Sequence, residues 1–187
     1  MKQLEQTLIQ YDRAFENCAR LFEAKTFDYG TAWRVLRPSS LTDQLFIKAN
    51  RIRTIQETGE ARIDEGIDSE FMGIVNYSFL ALIQCELPLD TSLDLKPEEA
   101  ISMYRNAFHE TRDLMIRKNH DYGEAWRDMR VSSLADLILM KLLRVKQIED
   151  HAGETQVSEG IDANYQDIAN YAIFALILLE EHASEPS

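Results

Sequence analysis

One stretch of this chain occurs twice in the same register, and this internal repeat constrains the fold more than any other feature. Residues 28–51 read DYGTAWRVLRPSSLTDQLFIKANR, and residues 121–144 read DYGEAWRDMRVSSLADLILMKLLR. Further matched pairs extend the repeat on both sides: Tyr11 and Tyr104, Lys25 and Lys118, Asn76 and Asn170, and Tyr77 and Tyr171. The chain is therefore two copies of one unit of roughly 80 residues, which sets the fold class before any local pattern does.

Charged positions agree between the copies even where apolar positions have changed type, as in the replacement of Phe46 by Leu139 and of Phe22 by Met115. A shared core alone would preserve apolar positions and let surface charges drift. The matched charges are Arg34/Arg127, Arg37/Arg130, Asp43/Asp136, Lys48/Lys141, Arg51/Arg144, Glu65/Glu159 and Asp68/Asp162. Their retention indicates a specific role for charge in both copies.

Helical periodicity runs through both copies, and no stretch alternates as a strand would. Each copy is predicted to hold three helices, over about 3–26, 41–58 and 68–86 in the first and about 97–119, 133–151 and 162–182 in the second. Asp28-Tyr29-Gly30 and Asp121-Tyr122-Gly123 are predicted turns, and a serine after Pro38 is the expected N-cap of the second helix. The predicted fold is all-α: tandem three-helix repeats at 1–87 and 97–187, joined by a linker at 88–96. We expect them to pack about a pseudo-two-fold axis as a helical bundle, which can form one compact domain.

Composition narrows the class of function. The 187 residues carry a formal net charge of −12, which disfavours non-specific binding to nucleic acid. No apolar run is long enough to span a membrane and no secretory signal is visible. Cys18 and Cys85 lack metal-type spacing and are interpreted as reduced thiols. These features favour a cytoplasmic protein. The duplication favours either a monomer that acts as a pseudo-dimer or a homodimer.

Two helices of the second copy carry the residue types of a phosphate and metal site. Asp136, Lys141 and Arg144 fan over one side of the first of these helices, and Asp167 shares a face of the next with Asn170 and Tyr171. Carboxylates that project from two helices are suited to Mg²⁺, which commonly bridges one or two carboxylates to substrate phosphates. Lysine and arginine beside the metal would hold the remaining phosphate charge.

Other residues extend this predicted site. The further phosphate-binding candidates are Lys48, Arg51, Arg127 and Arg130, with Arg34 and Arg37 near the mouth. The base-binding candidates are Trp126, Tyr122, Asn170 and Tyr171, with Trp33 and Tyr29 as their counterparts in the first copy.

Structural alternatives stay open for most of these residues. Asp136 can form an ion pair across the interface between the copies instead of binding a metal. Trp33 and Trp126 can be wedges in the core, and Asn76 and Asn170 can form hydrogen bonds between helices. A further group, Asp68 and Asp162, can be helix N-caps.

The spacing Tyr-Gly, then Lys-x-x-Arg on one helix, then Asp-x-x-Asn-Tyr on the next resembles the nucleotide-modification-associated family, formerly a domain of unknown function. Its members occur as tandem repeats, and the resemblance covers nearly the whole chain. That family in turn resembles the MazG-like all-α NTP pyrophosphatases. The resemblance implies Mg²⁺, held by Glu-x-x-Glu and Glu-x-x-Asp pairs, and hydrolysis of a nucleoside triphosphate to monophosphate and pyrophosphate.

This sequence departs from that pattern, since Ser40-x-x-Asp43 and Ser133-x-x-Asp136 replace Glu-x-x-Glu, and Glu-x-x-Asp survives only as Glu70 and Asp167. The metal candidates implied by the resemblance are Asp136, Asp167, Glu159, Asp162, Asp43 and Glu70, with Asp136, Asp167 and Glu159 as the catalytic set. We expect Mg²⁺ (or Mn²⁺) and a small nucleotide-like triphosphate as substrate. The alternatives are a nucleotide-binding or sensing protein without catalysis, and a structural helical adaptor.

Overall fold

The computed structural model describes residues 2–59, 66–88, 92–152 and 159–184, and within these ranges it contains helices and no strand. The first repeat consists of α1 (Lys2–Tyr29), a short 3-10 helix (Ala32–Val35), α2 (Pro38–Thr58) and α3 (Ile67–Glu86). The second consists of α4 (Pro97–Tyr122), a 3-10 helix (Ala125–Asp128), α5 (Val131–Asp150) and α6 (Ile161–Ser184). The predictions of an all-α fold and of a tandem repeat are confirmed.

Glycine and proline set most of the helix boundaries. Gly30 and Gly123, directly after α1 and α4, have φ values of 68° and 63°, which glycine adopts without the steric cost of a side chain. Pro38 begins α2 and Arg37 holds its N-cap position, so the prediction of a serine cap is wrong. The N-cap prediction for Asp68 is also wrong, because Gly66 holds that position. Proline begins α2 because its fixed φ and missing N–H suit the first helical position.

One continuous core contains residues of both repeats. Its most extensive helix contacts join α3 with α6 and α2 with α5 across the repeats, together with α5–α6 and α2–α3 within them. Between α1 and α4, the rings of Phe15 and Phe108 stack with centroids 3.4 Å apart, and Phe22 stacks on Tyr104 at 4.1 Å. Because apolar surface of each repeat is covered by the other, burial of this core stabilises both together.

Hydrogen bonds in this core are exchanged between the repeats. The Tyr11 hydroxyl of α1 donates to Asn170 Oδ1 of α6 at 2.6 Å, and the Tyr104 hydroxyl of α4 donates to Asn76 Oδ1 of α3 at 2.5 Å. Each asparagine also donates from Nδ2 to a backbone carbonyl of its own repeat, Asn76 to Cys18 and Asn170 to Thr111. The interpretation of both asparagines as hydrogen-bond partners between helices therefore agrees with these contacts.

Ion pairs on the surface are exchanged in the same way. Arg53 of α2 lies 3.8 Å from Asp136 of α5, and Lys146 of α5 lies 2.9 Å from Asp43 of α2. Arg53 and Lys146 occupy equivalent positions in the repeats, as do Asp43 and Asp136. These contacts join α2 of the first repeat to α5 of the second, the helix that was expected to carry Asp136, Lys141 and Arg144.

Across the described helices, none is both long enough and apolar enough to cross a membrane.

Candidate functional site

Each repeat carries three cations at equivalent positions and one buried carboxylate that binds two of them. In the second repeat they are Lys118 of α4 and Lys141 and Arg144 of α5; in the first they are Lys25, Lys48 and Arg51. Lysine and arginine at i and i+3 of a helix lie on one face, so both helices present their pair toward the next helix. The repeats differ in where that next helix carries its carboxylate.

In the second repeat the carboxylate is Asp167 of α6, and two lysines hold it. Its Oδ1 lies 2.5 Å from Lys118 Nζ and its Oδ2 lies 2.8 Å from Lys141 Nζ. The Asp167 side chain is only 6% exposed. Partial burial lowers the pKa of Lys118, but the hydrogen bond and charge of Asp167 outweigh it and raise that pKa above its usual value. Both carboxylate oxygens are thus occupied by ammonium groups.

In the first repeat the carboxylate is Glu70 of α3, also 6% exposed at its side chain. It accepts a short hydrogen bond from Arg51 and lies 3.4 Å from Lys48 Nζ. Gly73 occupies the position equivalent to Asp167, and the Lys48 side chain lies over it. A Cβ added at Gly73 would lie 2.9 Å from Lys48 Cε.

The carboxylate is therefore displaced by three residues, about one helical turn, between the repeats. Position 164, which is equivalent to Glu70, is an asparagine. In the second repeat Asp167 binds the lysines, and Arg144 has no ion pair among the described residues. In the first repeat Glu70 binds Arg51 most closely, and Lys48 has the longer contact of 3.4 Å. The equivalent cations therefore pair with the carboxylate in different combinations in the two repeats.

A cavity of about 790 Å³ lies beside Arg144, between α5 and the start of α6. It brings together four residues that were predicted to share a site: Asp136, Lys141, Arg144 and Glu159. Arg53 of the first repeat also lines it, as do Gln147, Asn164 and the apolar side chains Leu139, Met140, Leu143 and Ile148. The cavity is therefore bordered by both repeats.

Several predicted site residues have structural contacts instead. Trp126 is 6% exposed and stacks on Phe174 with centroids 4.3 Å apart, so it is a core wedge and its assignment to a base is not supported. Asn170 is 4% exposed with its amide group in the hydrogen bonds described above, so it is not available to a base either. Arg127 binds Glu124 and Glu181 and lies over the Trp126 ring, which argues against a phosphate role.

The remaining predicted residues lie outside the cavity. Tyr122 and Arg130 are exposed at the end of α4 and the start of α5, and Asp162 is exposed in the first turn of α6. Tyr171 is half-buried near Asp167, and burial raises its pKa, as does the charge of that carboxylate. A separate set of contacts engages the metal candidates of the first repeat: Asp43 with Lys146, and Glu70 with Arg51 and Lys48.

The described residues fit a resident Mg²⁺ poorly. They contain no group of three or more acidic, histidine or cysteine side chains that could hold a metal ion. Asp167 and Glu70, the two buried carboxylates of the predicted metal set, are neutralised by lysine or arginine. Asp136 and Glu159 remain as carboxylates at the cavity, with Asn164 beside them. Glu65 lies outside the described residues.

Three residues at these sites escaped the sequence predictions. The match of Lys118 to Lys25 is evident in the sequence. Its partner Asp167 could not be predicted, because the contact joins α4 to α6. Arg53 comes from the other repeat, and sequence spacing carries no information on which helices cross there. Asn164 has a signal in the alignment of the repeats, since it stands where Glu70 stands.

A sequence model of the nucleotide modification associated domain 1 family matches this chain twice, over residues 25–85 and 118–179. The chain belongs to this family. One match lies in each repeat, and each includes the cation and carboxylate positions. No curated protein and no solved structure matches the chain in the same comparisons.

Proposed function

We propose that this family member binds a phosphate-bearing, nucleotide-like ligand without hydrolysing it. The proposed site is the cavity beside Arg144, called the second-repeat cavity below. The observation that supports this is the position of Asp167. Asp167 pairs with Lys118 and Lys141 and leaves Arg144 without an ion pair among the described residues. Arg144 lines a cavity of about 790 Å³, within the range of roughly 300–1000 Å³ that small-molecule sites occupy. A chain with a net charge of −12 would hold an anion only where cations are concentrated in this way.

Each part of the cavity has a role in this proposal. Arg144 provides a planar fork of donors for a phosphate, and Arg53 adds a second guanidinium from the first repeat. Lys141 contributes charge at the cavity wall while it stays bonded to Asp167. Apolar side chains such as Leu139 and Leu143 would pack on the sugar or base.

Hydrolysis of a nucleoside triphosphate to monophosphate and pyrophosphate is the second candidate. It is favoured by one observation: Asp136 and Glu159 line the same cavity as the phosphate-binding cations. If Mg²⁺ were bound there, these carboxylates would hold it with substrate phosphates as further ligands, and the metal would supply Lewis-acid stabilisation of phosphate charge. Under this second candidate, the chain would share the activity of the MazG-like NTP pyrophosphatases that its family resembles.

We also propose that the repeats are related by a pseudo-two-fold axis. The exchanged hydrogen bonds of Tyr11 and Tyr104 and the exchanged ion pairs of Arg53 and Lys146 support it. In an isologous arrangement, a contact from position i to j is accompanied by one from j to i, as these pairs are. Superposition of one repeat on the other would test the axis directly.

The proposed binding is tested by calorimetry with nucleoside triphosphates in EDTA and again with Mg²⁺ or Mn²⁺, with pyrophosphate release measured in parallel. We expect binding in EDTA, a loss of about 1.5–3 kcal/mol in Arg144→Ala, the range for hydrogen bonds to charged groups, and no pyrophosphate release. Asp136→Asn is the matched control and should keep binding. Release that requires Asp136 would favour the hydrolase, and absence of any binding would favour the structural adaptor.

A further inference from the structure

A second pocket, of about 490 Å³, lies in the first repeat between the end of α1, the 3-10 helix and the facing sides of α2 and α3. Its lining includes Lys25, Lys48, Trp33 and Tyr77, and Gly73 forms part of its wall. We propose that this first-repeat pocket binds a small aromatic phosphate of the nucleoside monophosphate class without a metal ion. This site is separate from the second-repeat cavity and does not rest on the function proposed for it.

The charge of the first-repeat pocket favours an anion. Two lysines line it, and its lining contains no aspartate or glutamate. Glu70, the carboxylate that contacts Lys48, is 6% exposed at its side chain and bonds Arg51 more closely than Lys48. A phosphate between the two ammonium groups would therefore gain their charge, and Glu70 would compete for Lys48 only through its longer contact of 3.4 Å.

The second repeat shows what an anion at this place would do. There the Asp167 carboxylate bridges Lys118 and Lys141, which are equivalent to Lys25 and Lys48. In the first repeat Gly73 supplies no carboxylate at this position, which lines the pocket beneath the Lys48 side chain. The bound phosphate would thus replace, from outside, an anion that the second repeat carries in its own sequence.

The walls of the pocket favour an aromatic group. In the second repeat Trp126 is covered by the stacked ring of Phe174, whereas the position equivalent to Phe174 is Leu80, which lines the first-repeat pocket. Trp33 is correspondingly half-buried, and no described ring stacks on it. Tyr77 lies on the same pocket, with Lys48 Nζ 5.6 Å from its ring centroid. A flat base would find aromatic and apolar surface beside the cationic end.

The decisive variant is Gly73→Asp, which writes the second-repeat arrangement into the first. The three atoms nearest the added Cβ all belong to the end of the flexible Lys48 side chain, which can shift. The new carboxylate would be placed to pair with Lys48 and Lys25. We expect calorimetry in EDTA to show binding of at least one nucleoside 5′-monophosphate to the intact chain, and Gly73→Asp to weaken it at least tenfold. Lys25→Ala, which changes an exposed side chain, should weaken it several-fold without unfolding the protein.

Lys25→Ala and Gly73→Asp separate this site from the second-repeat cavity, because both change only the first-repeat pocket. Lys146→Ala removes a lysine charge outside the pocket and should bind monophosphate like the wild type. Ribose 5-phosphate, which lacks a base, should bind at least tenfold more weakly than the best monophosphate. The proposal is overturned if no monophosphate binds, if Lys25→Ala and Gly73→Asp both bind like the wild type, or if ribose 5-phosphate binds equally well. If Gly73→Asp does not fold, Lys25→Ala decides.

Discussion

The hydroxyl of Tyr11 in the first repeat donates a 2.6 Å hydrogen bond to Asn170 in the second, and both residues are buried. The equivalent bond from Tyr104 to Asn76 runs in the opposite direction across the molecule at 2.5 Å. Each repeat thus depends on the other to satisfy a polar group of its own core. An unsatisfied buried acceptor costs free energy, so these bonds also fix how the repeats fit together.

Tyr11→Phe should lower the free energy of unfolding by about 1–3 kcal/mol, because it leaves Asn170 Oδ1 buried without a donor. Tyr104→Phe is the matched variant and should cost less, because Asn76 is only half-buried. Urea denaturation followed by circular dichroism measures both. A larger cost at Tyr104 than at Tyr11 would contradict the assigned roles.

Asp167→Asn should destabilise the fold by about 3 kcal/mol, at the low end of the range for removing one partner of a buried ion pair, because Lys118 reaches solvent. The lysines would then be left without a carboxylate between them. Inorganic phosphate should restore part of the lost melting temperature in this variant by mass action, and more than it raises that of the wild type. Asp162→Asn, which changes an exposed carboxylate of the same helix, should show neither effect; equal behaviour of the two variants would contradict the prediction.

Glu149 should make the protein less stable as pH rises. Burial raises its pKa, although hydrogen bonds from Thr42 and Tyr165 offset part of the effect. The folded state therefore holds the Glu149 proton more tightly than the unfolded chain does, and the protonated carboxyl stabilises the fold. That stabilisation is fully present below the unfolded pKa and is lost as pH rises through the folded pKa.

Glu149→Gln keeps an acceptor for Thr42 and removes the charge. We expect a higher melting temperature than the wild type at pH 7–8, and a difference that disappears near pH 4, about the ordinary pKa of a glutamate. Glu57→Gln, at an exposed glutamate, should show no such gain. A gain that is independent of pH would contradict the assignment.

A chain cut in the linker between α3 and α4 should still form the native core, because the contacts that join the repeats do not need a covalent connection. Residues 1–90 alone should be largely unfolded, since the aromatic stack of α1 on α4 and the packing of α3 on α6 would be missing. Mixing this fragment with residues 91–187 should restore the circular dichroism and melting of the intact chain. An independently stable first fragment would contradict the single core.

The six α-helices of the described residues, and the repeat, could be predicted from the sequence because periodicity, glycine and proline act locally. The placement of Asp136, Lys141 and Arg144 on one side of α5 could also be predicted, since residues on one helix share a face over short spacings. The partner of each charge was not accessible. Whether Arg51 or Lys48 takes Glu70 depends on how α2 crosses α3, and the burial of Trp126 depends on Phe174 of another helix.

The displacement of the carboxylate from position 70 in one repeat to position 167 in the other has a consequence for inheritance. In an assembly of identical subunits, every substitution appears at all equivalent places at once, so one subunit could not carry Gly73 while its partner carried aspartate. Tandem duplication within one chain removes that restriction. A single gene can then specialise one half of a matched pair while the other half retains the contact that keeps the whole folded.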